Sequence, residues 1–212
     1  MSKLKVWDAH INDLKTCVND IKYVDDSSLW EKCQRSGEDS KLQQATDQAV
    51  EWSDKNNMDI NADKTKYMEI YFGRSPLSLH PITIGGSEIE QVSVFKLLGL
   101  MINNKLTWHD HIDYICRKAS KRIYFLVLMK RANKSASDIV HTYVAIIRSV
   151  LEYVCIVWHP VLTKHQSDQI EHIQKRSLKI AFPDHSYHDA LLTCNLETLY
   201  GRRESMCKKI FQ

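Results

Sequence analysis

The chain has 212 residues, 43% of them hydrophobic and 26% charged, with a net charge of +3. That is the composition of an ordinary globular protein, with room for one large domain or two small ones around a core of useful size. No apolar run approaches the ~18 residues of a membrane span and Met1 to Asp8 hold no apolar signal core, so the expectation is an intracellular location, nucleus or cytoplasm, without secretion or a transmembrane segment.

Charge is unevenly spread. Residues 1–100 hold 12 Lys/Arg and 16 Asp/Glu, whereas residues 101–212 hold 17 and 10. An acidic half followed by a basic half suits one surface for cations and another for a polyanion. The six cysteines are scattered without a Cys-x-x-Cys, and read as reduced, mostly buried thiols.

Trp7 to Val18 reads as a short helix. Asp20 to Leu29 reads as strand, turn, strand, with Asp25-Asp26 between β-prone residues. Ser36 to Asn57 predicts a long helix, with Ser36 as cap, Asp39 three residues later, and Leu42, Ala45, Ala49 and Trp52 at helical spacing. Met58 to Ile60 and Lys66 to Phe72 read as short strands, and Gly73 to Pro81 as a loop. Ile82 to Ile84, the Gly85-Gly86 turn and Val94 to Ile102 continue the β pattern. After Trp108 the period becomes helical: His109 to Arg131, Ala136 to Tyr153, Thr163 to Ala181, and a weaker stretch from Ala190 to Phe211. The expected class is α+β followed by all-α, with domains at 1–103 and 104–212.

Two adjacent carboxylates at a turn concentrate negative charge that a hard divalent cation such as Mg²⁺ relieves. A pair of such ions can stabilise both oxygens of a phosphoryl displacement. Asp-Asp is equally a common surface turn, so the tetrapeptide Tyr23-Val24-Asp25-Asp26 leaves both readings open. In the basic half, Ile112, Ile115, Ala119, Ile123 and Leu126 share one helical face. Arg117, Lys118, Lys121 and Arg122 are placed opposite, and Lys175, Arg176 and Lys179 oppose Ile170, Ile173 and Ile180. Such faces suit a phosphate backbone, or are simply solvated. His109, His111, His185, His188, Cys194 and Cys207 give no zinc spacing, and no Ser/His/Asp motif is present.

The order of motifs resembles reverse transcriptases of non-LTR, LINE-type retrotransposons over nearly the whole chain. Tyr23-Val24-Asp25-Asp26 resembles the palm signature. Trp52-Ser53 with Asn61-Ala62-Asp63-Lys64-Thr65-Lys66 resembles the next palm motif. Phe95 to Leu100 resembles the primer-gripping hairpin, and Leu106-Thr107-Trp108-His109-Asp110-His111-Ile112 the opening of the thumb. Lys118-Ala119, Leu151-Glu152-Tyr153, Val157-Trp158-His159-Pro160 and Ile173-Gln174-Lys175-Arg176 continue the pattern.

The resemblance implies a partial polymerase palm followed by a helical thumb. By the same resemblance Asp25 and Asp26 are Mg²⁺ ligands and Lys64 is a proton donor near the incoming triphosphate. Asn61 shapes the turn before Lys64, and Leu98 and Gly99 grip the primer end. The implied partners are an RNA template, a DNA primer or RNA–DNA duplex, and deoxynucleoside triphosphates. Relatives place a further metal-binding Asp and a Gln-Gly segment upstream. The 22 residues before Tyr23 contain neither, although Ile11-Asn12-Asp13-Leu14 resembles the stub just downstream of the Gln-Gly segment. The expectation is therefore a polymerase fragment inactive alone. The alternatives are a non-catalytic nucleic-acid-binding module and a decayed mobile-element remnant.

Overall fold

The computed structural model describes residues 13–23, 26–33, 40–73 and 80–210. They form a mixed α+β structure, and the chain divides into two compact units, Met1–Phe95 and Lys96–Gln212.

In the first unit, β1 (Asn19–Tyr23) and β2 (Asp26–Trp30) pair antiparallel, closing on Tyr23 opposite Asp26. Lys22 reaches Asp20 at 2.8 Å and donates to the Leu14 carbonyl. Residues 13–18 are not helical, and the rest of the helix expected from Trp7 lies outside the described residues. Helix α1 spans Leu42–Lys55 and buries Ala45 and Ala49. It starts later than the Ser36 expectation, whose Ser36 and Asp39 lie outside the described residues. Glu31 accepts the Lys41 N–H (3.0 Å) and the Ser40 hydroxyl (2.5 Å), which holds residues 40–41 out of the helix. Asn57, at φ 51°, ends α1.

The Gln43 side chain brackets Thr83, accepting from its N–H (2.8 Å) and donating to its carbonyl (3.0 Å). β4 (Thr83–Ile84) and β5 (Ser87–Glu88) flank Gly85 and Gly86, both at positive φ as a two-residue hairpin turn requires. β3 is only Lys66–Tyr67, parallel to β6 (Glu90–Gln91), and residues 58–60 are not a strand. Among the described residues, the stretch after Tyr67 has no neighbouring strand to bond. Ile82, Ile84 and Ile89 form this unit's buried cluster, with Leu42, Val50, Ile60, Ala62 and Tyr67 against it.

β7 (Val94–Leu97), which runs across the boundary between the units, forms a hairpin with β8 (Leu100–Asn103) of the second unit. That unit's helices are α2 (His109–Arg131), α3 (Ala136–Glu152), α4 (Cys155–Trp158), α5 (Lys164–Ala181), α6 (Tyr187–Thr193) and α7 (Leu199–Ile210). The caps are local. Ser135 accepts the Asp138 N–H, Ser186 the Asp189 N–H, and Thr163 with Gln166 forms a capping box. α3 contains one π-helical turn, Tyr143–Arg148, which helical periodicity did not signal. The single helix expected from Ala190 is instead two. Asn195 takes a left-handed φ of 49°, and α7 starts afresh with the Glu171 carboxylate accepting its Leu199 and Tyr200 N–H groups at 3.2 Å.

The core lies where the helices meet and includes Ile112, Leu126, Ile139, Ile147, Leu151, Trp158, Ile170, Leu178 and Leu199. Each such side chain contributes about 1.5–3 kcal/mol relative to exposure. Among the described residues no single helix is long and apolar enough to cross a membrane, and the apolar stretch through α3 and α4 supplies core residues. The two compact units divide at 95/96, within β7.

Candidate functional site

Of the acidic pair, Asp26 opens β2 and is exposed, while Asp25 lies outside the described residues. Among the described residues no three His, Cys, Asp or Glu side chains gather as metal ligands. Asp26 alone does not make a Mg²⁺ centre.

Lys64 is exposed in a turn built by Asn61. The Asn61 side chain accepts the Lys64 N–H (3.0 Å), and its carbonyl accepts the Thr65 N–H (3.0 Å) and hydroxyl (2.8 Å). Lys64 is thus exposed on a turn whose Lys64 and Thr65 N–H groups are both bonded.

In the second unit the hairpin tip is Leu98-Gly99, both at positive φ (45° and 89°). A Cβ on Gly99 would lie 3.1 Å from the Tyr153 ring. Tyr153 donates its hydroxyl to the Leu98 carbonyl at 2.9 Å. Glycine is thus required twice over, by its dihedral and by the ring against it. Lower on the hairpin, the Met101 N–H donates to His111 Nδ1 at 3.3 Å, and Lys96 Nζ stands 5.2 Å from the Tyr114 ring centroid. His111 is fully buried between Trp108 and Trp158, and burial pushes its pKa down to about 4, keeping the ring neutral. With Nδ1 accepting, the proton is on Nε2. That atom is buried without a hydrogen-bond partner.

The residues of the thumb-like motifs have packing duties. Asn103, buried, donates to Thr107 (2.8 Å) and Asp110 (2.7 Å) and shapes the turn into α2. Gln174, also buried, accepts from the Tyr143 hydroxyl and donates to the Tyr187 hydroxyl (2.8 Å) and the Glu197 carbonyl (3.0 Å). Burial pushes the Tyr143 phenol well above its ordinary value. Glu152 pairs with Arg202 at 2.7 Å. Arg203 is fully buried, donating to His159 (3.3 Å) and Ser167 (3.1 Å) beside the Trp158 ring. Sequence reading missed Arg203, because an Arg in a basic tail gives no sign that its helix turns it inward.

Of the cations singled out, Arg117, Lys118, Lys121, Lys175, Arg176 and Lys179 are exposed. Arg122 is a correction. It is half-buried, and its guanidinium donates to the Ile146 carbonyl in the π turn of α3. At 100° per residue it lies only about 60° from the centre of the buried face, so it belongs to the flank. Among the described residues no disulfide forms; Cys155 and Cys207 are buried, Cys17 is exposed, and the other three are intermediate, so burial is less general than expected. Burial raises the Cys155 thiol to about 11, which leaves it protonated and inert.

Comparison with known proteins finds no matching protein-family model, no matching curated protein and no matching solved structure.

Proposed function

We propose that the chain is a nucleic-acid-binding piece of a polymerase, and specifically part of a LINE-type reverse transcriptase. In this reading the first unit belongs to the palm and the helical unit is the thumb. One observation carries it: motif residues in family order coincide with two helices that each carry a run of exposed cations with no Asp or Glu inside the run. On α2 these are Arg117, Lys118 and Lys121, and on α5 Lys175, Arg176 and Lys179. In the complete enzyme Mg²⁺ would supply charge neutralisation at the acidic pair. This chain's own residues position the nucleic acid: the cations hold phosphates, and the Leu98-Gly99 tip offers backbone to a primer end.

Phosphate contacts release condensed cations, so log K falls with log salt by about 0.7 per contact on single strands and about 0.9 on duplex. Fluorescence anisotropy with a labelled RNA–DNA duplex over a salt series is the test. Replacing Arg117, Lys118 and Lys121 by Gln should flatten the slope by about 2–3. The fold should survive, since none of the three is buried. Binding that ignores salt, or a triple variant with the parent's slope, removes the reading. The 212-residue chain by itself should not extend a primer on an RNA template. Incorporation that Asp25→Asn abolishes would show that the chain suffices for catalysis.

A further inference from the structure

We propose that the outward face of α2 is a platform for an unpaired nucleic-acid strand, on which Tyr124 and Phe125 stack against bases while Arg117, Lys118 and Lys121 hold the phosphates beside them. The inference rests on the nucleic-acid reading above and adds which form of nucleic acid this face takes.

The first observation is aromatic. Tyr124 is 59% and Phe125 55% exposed, and neither belongs to the packed core. Two adjacent large rings so exposed in the middle of a long helix take no part in the core cluster. The second is electrostatic. From Tyr114 to Lys134 the sequence carries Arg117, Lys118, Lys121, Arg122, Lys130, Arg131 and Lys134 and no Asp or Glu. With Arg122 turned to the Ile146 carbonyl, the cations that remain beside the rings are Arg117, Lys118 and Lys121. The complement of this surface is a polyanion.

The third observation is how the two are mixed. At 100° per residue, Arg117, Lys121, Tyr124, Phe125 and Leu128 share a sector about 100° wide, opposite Ile112, Ala119 and Ile123. An amphipathic helix that lies in a membrane segregates its apolar stripe from its cations. Here the cations stand in the centre of the aromatic face, where immersion in acyl chains would strand them. Interleaved rings and cations instead match a strand, whose bases and phosphates alternate. Stacking needs a free base face, which an unpaired strand offers to protein rings and a duplex gives to its own neighbours. Tyr114 lies on the same line about 16 Å away along the axis. Its ring already carries Lys96 and Lys118 at 5.2 and 5.8 Å, so it bounds the platform instead of joining it.

The test uses the full chain, a labelled oligouridylate and a labelled RNA–DNA duplex. Replacing Tyr124 and Phe125 together by Leu keeps apolar bulk and removes both π faces. Single-strand affinity should fall roughly fivefold to a hundredfold, with duplex affinity and the salt slope unchanged. Phe125→Trp should keep the affinity and add an emission that the bound strand quenches. Unaltered single-strand binding by the leucine variant, or an equal loss on duplex, overturns the proposal. So does flotation with phosphatidylserine-containing vesicles, or self-association, that the same variant loses. A flat salt slope in the parent would instead remove the underlying nucleic-acid reading, so the two failures are told apart.

Discussion

The two hairpins that bracket the first unit's helix and sheets share a local design and differ in what holds them. β1–β2 and β7–β8 are each two strands joined through two residues. The first leaves Ile21, Tyr23 and Trp30 exposed, and its inward polar pair is Lys22 with Asp20. The second is fastened to helices by His111, Tyr153 and the Lys96–Tyr114 contact. Hairpin geometry is therefore cheap to specify locally, whereas its rigidity comes from side chains contributed by distant sequence. β1–β2 is held instead by Lys22, which donates to the nearby Leu14 carbonyl, and by packing of β2 against α1.

The largest effect that would break this contrast comes from the floor beneath β7–β8. Trp158→Ala removes a fully buried ring next to His111 and should cost about 3–5 kcal/mol. Amide exchange should accelerate throughout β8 and α2 and stay unchanged in β1–β2; equal acceleration in both hairpins would erase the distinction. A somewhat smaller effect is set by acid. His111 titrates near 4 when folded and near 6.5 when unfolded, so the stability it contributes is complete above pH 6.5 and is lost as pH falls towards 4. About 2–3 kcal/mol should be lost between about pH 7 and 4.5. Urea midpoints for the parent and His111→Gln measure it, the variant showing the shallower fall. Smaller again, Tyr153→Phe deletes one exposed hydrogen bond to the hairpin tip and should cost about 0.5–1.5 kcal/mol, read as faster exchange near Leu98. Smallest, Asp20→Asn in β1–β2 should change stability by about 0–1 kcal/mol, as a partly exposed ion pair does.

Legibility in the sequence divides along the same line. The bounds of α2, the Gly85-Gly86 turn and the β1–β2 pairing depend on residues close in sequence, and local pattern located them. The late start of α1 depends on Glu31, the restart at α7 on Glu171, and the burial of Arg203 on His159 and Ser167. None of those partners is near in sequence, so periodicity carried no sign of them. The Arg122 assignment failed for a quantitative reason: a wheel position on the flank of a helix is decided by whichever neighbour offers an acceptor. For the candidate site, the motif order drew attention to Asp26, Lys64 and Gly99. It gave no hint that His111, Gln174 and Tyr153, which belong to the same motifs, are occupied in holding the fold.

The wide turn in α3 has a consequence for insertions and deletions. A π turn is an α-helix that has absorbed one surplus residue without unwinding. Removing one residue from within Tyr143–Arg148 would let the helix close into uniform α and leave everything beyond it in phase. The same deletion in α2 or α5 would rotate all later side chains by about 100° and turn their apolar stripes out of the core. α3 is thus the one long helix of this unit in which the length of the chain can shrink by a single codon while Tyr153 still meets the hairpin tip.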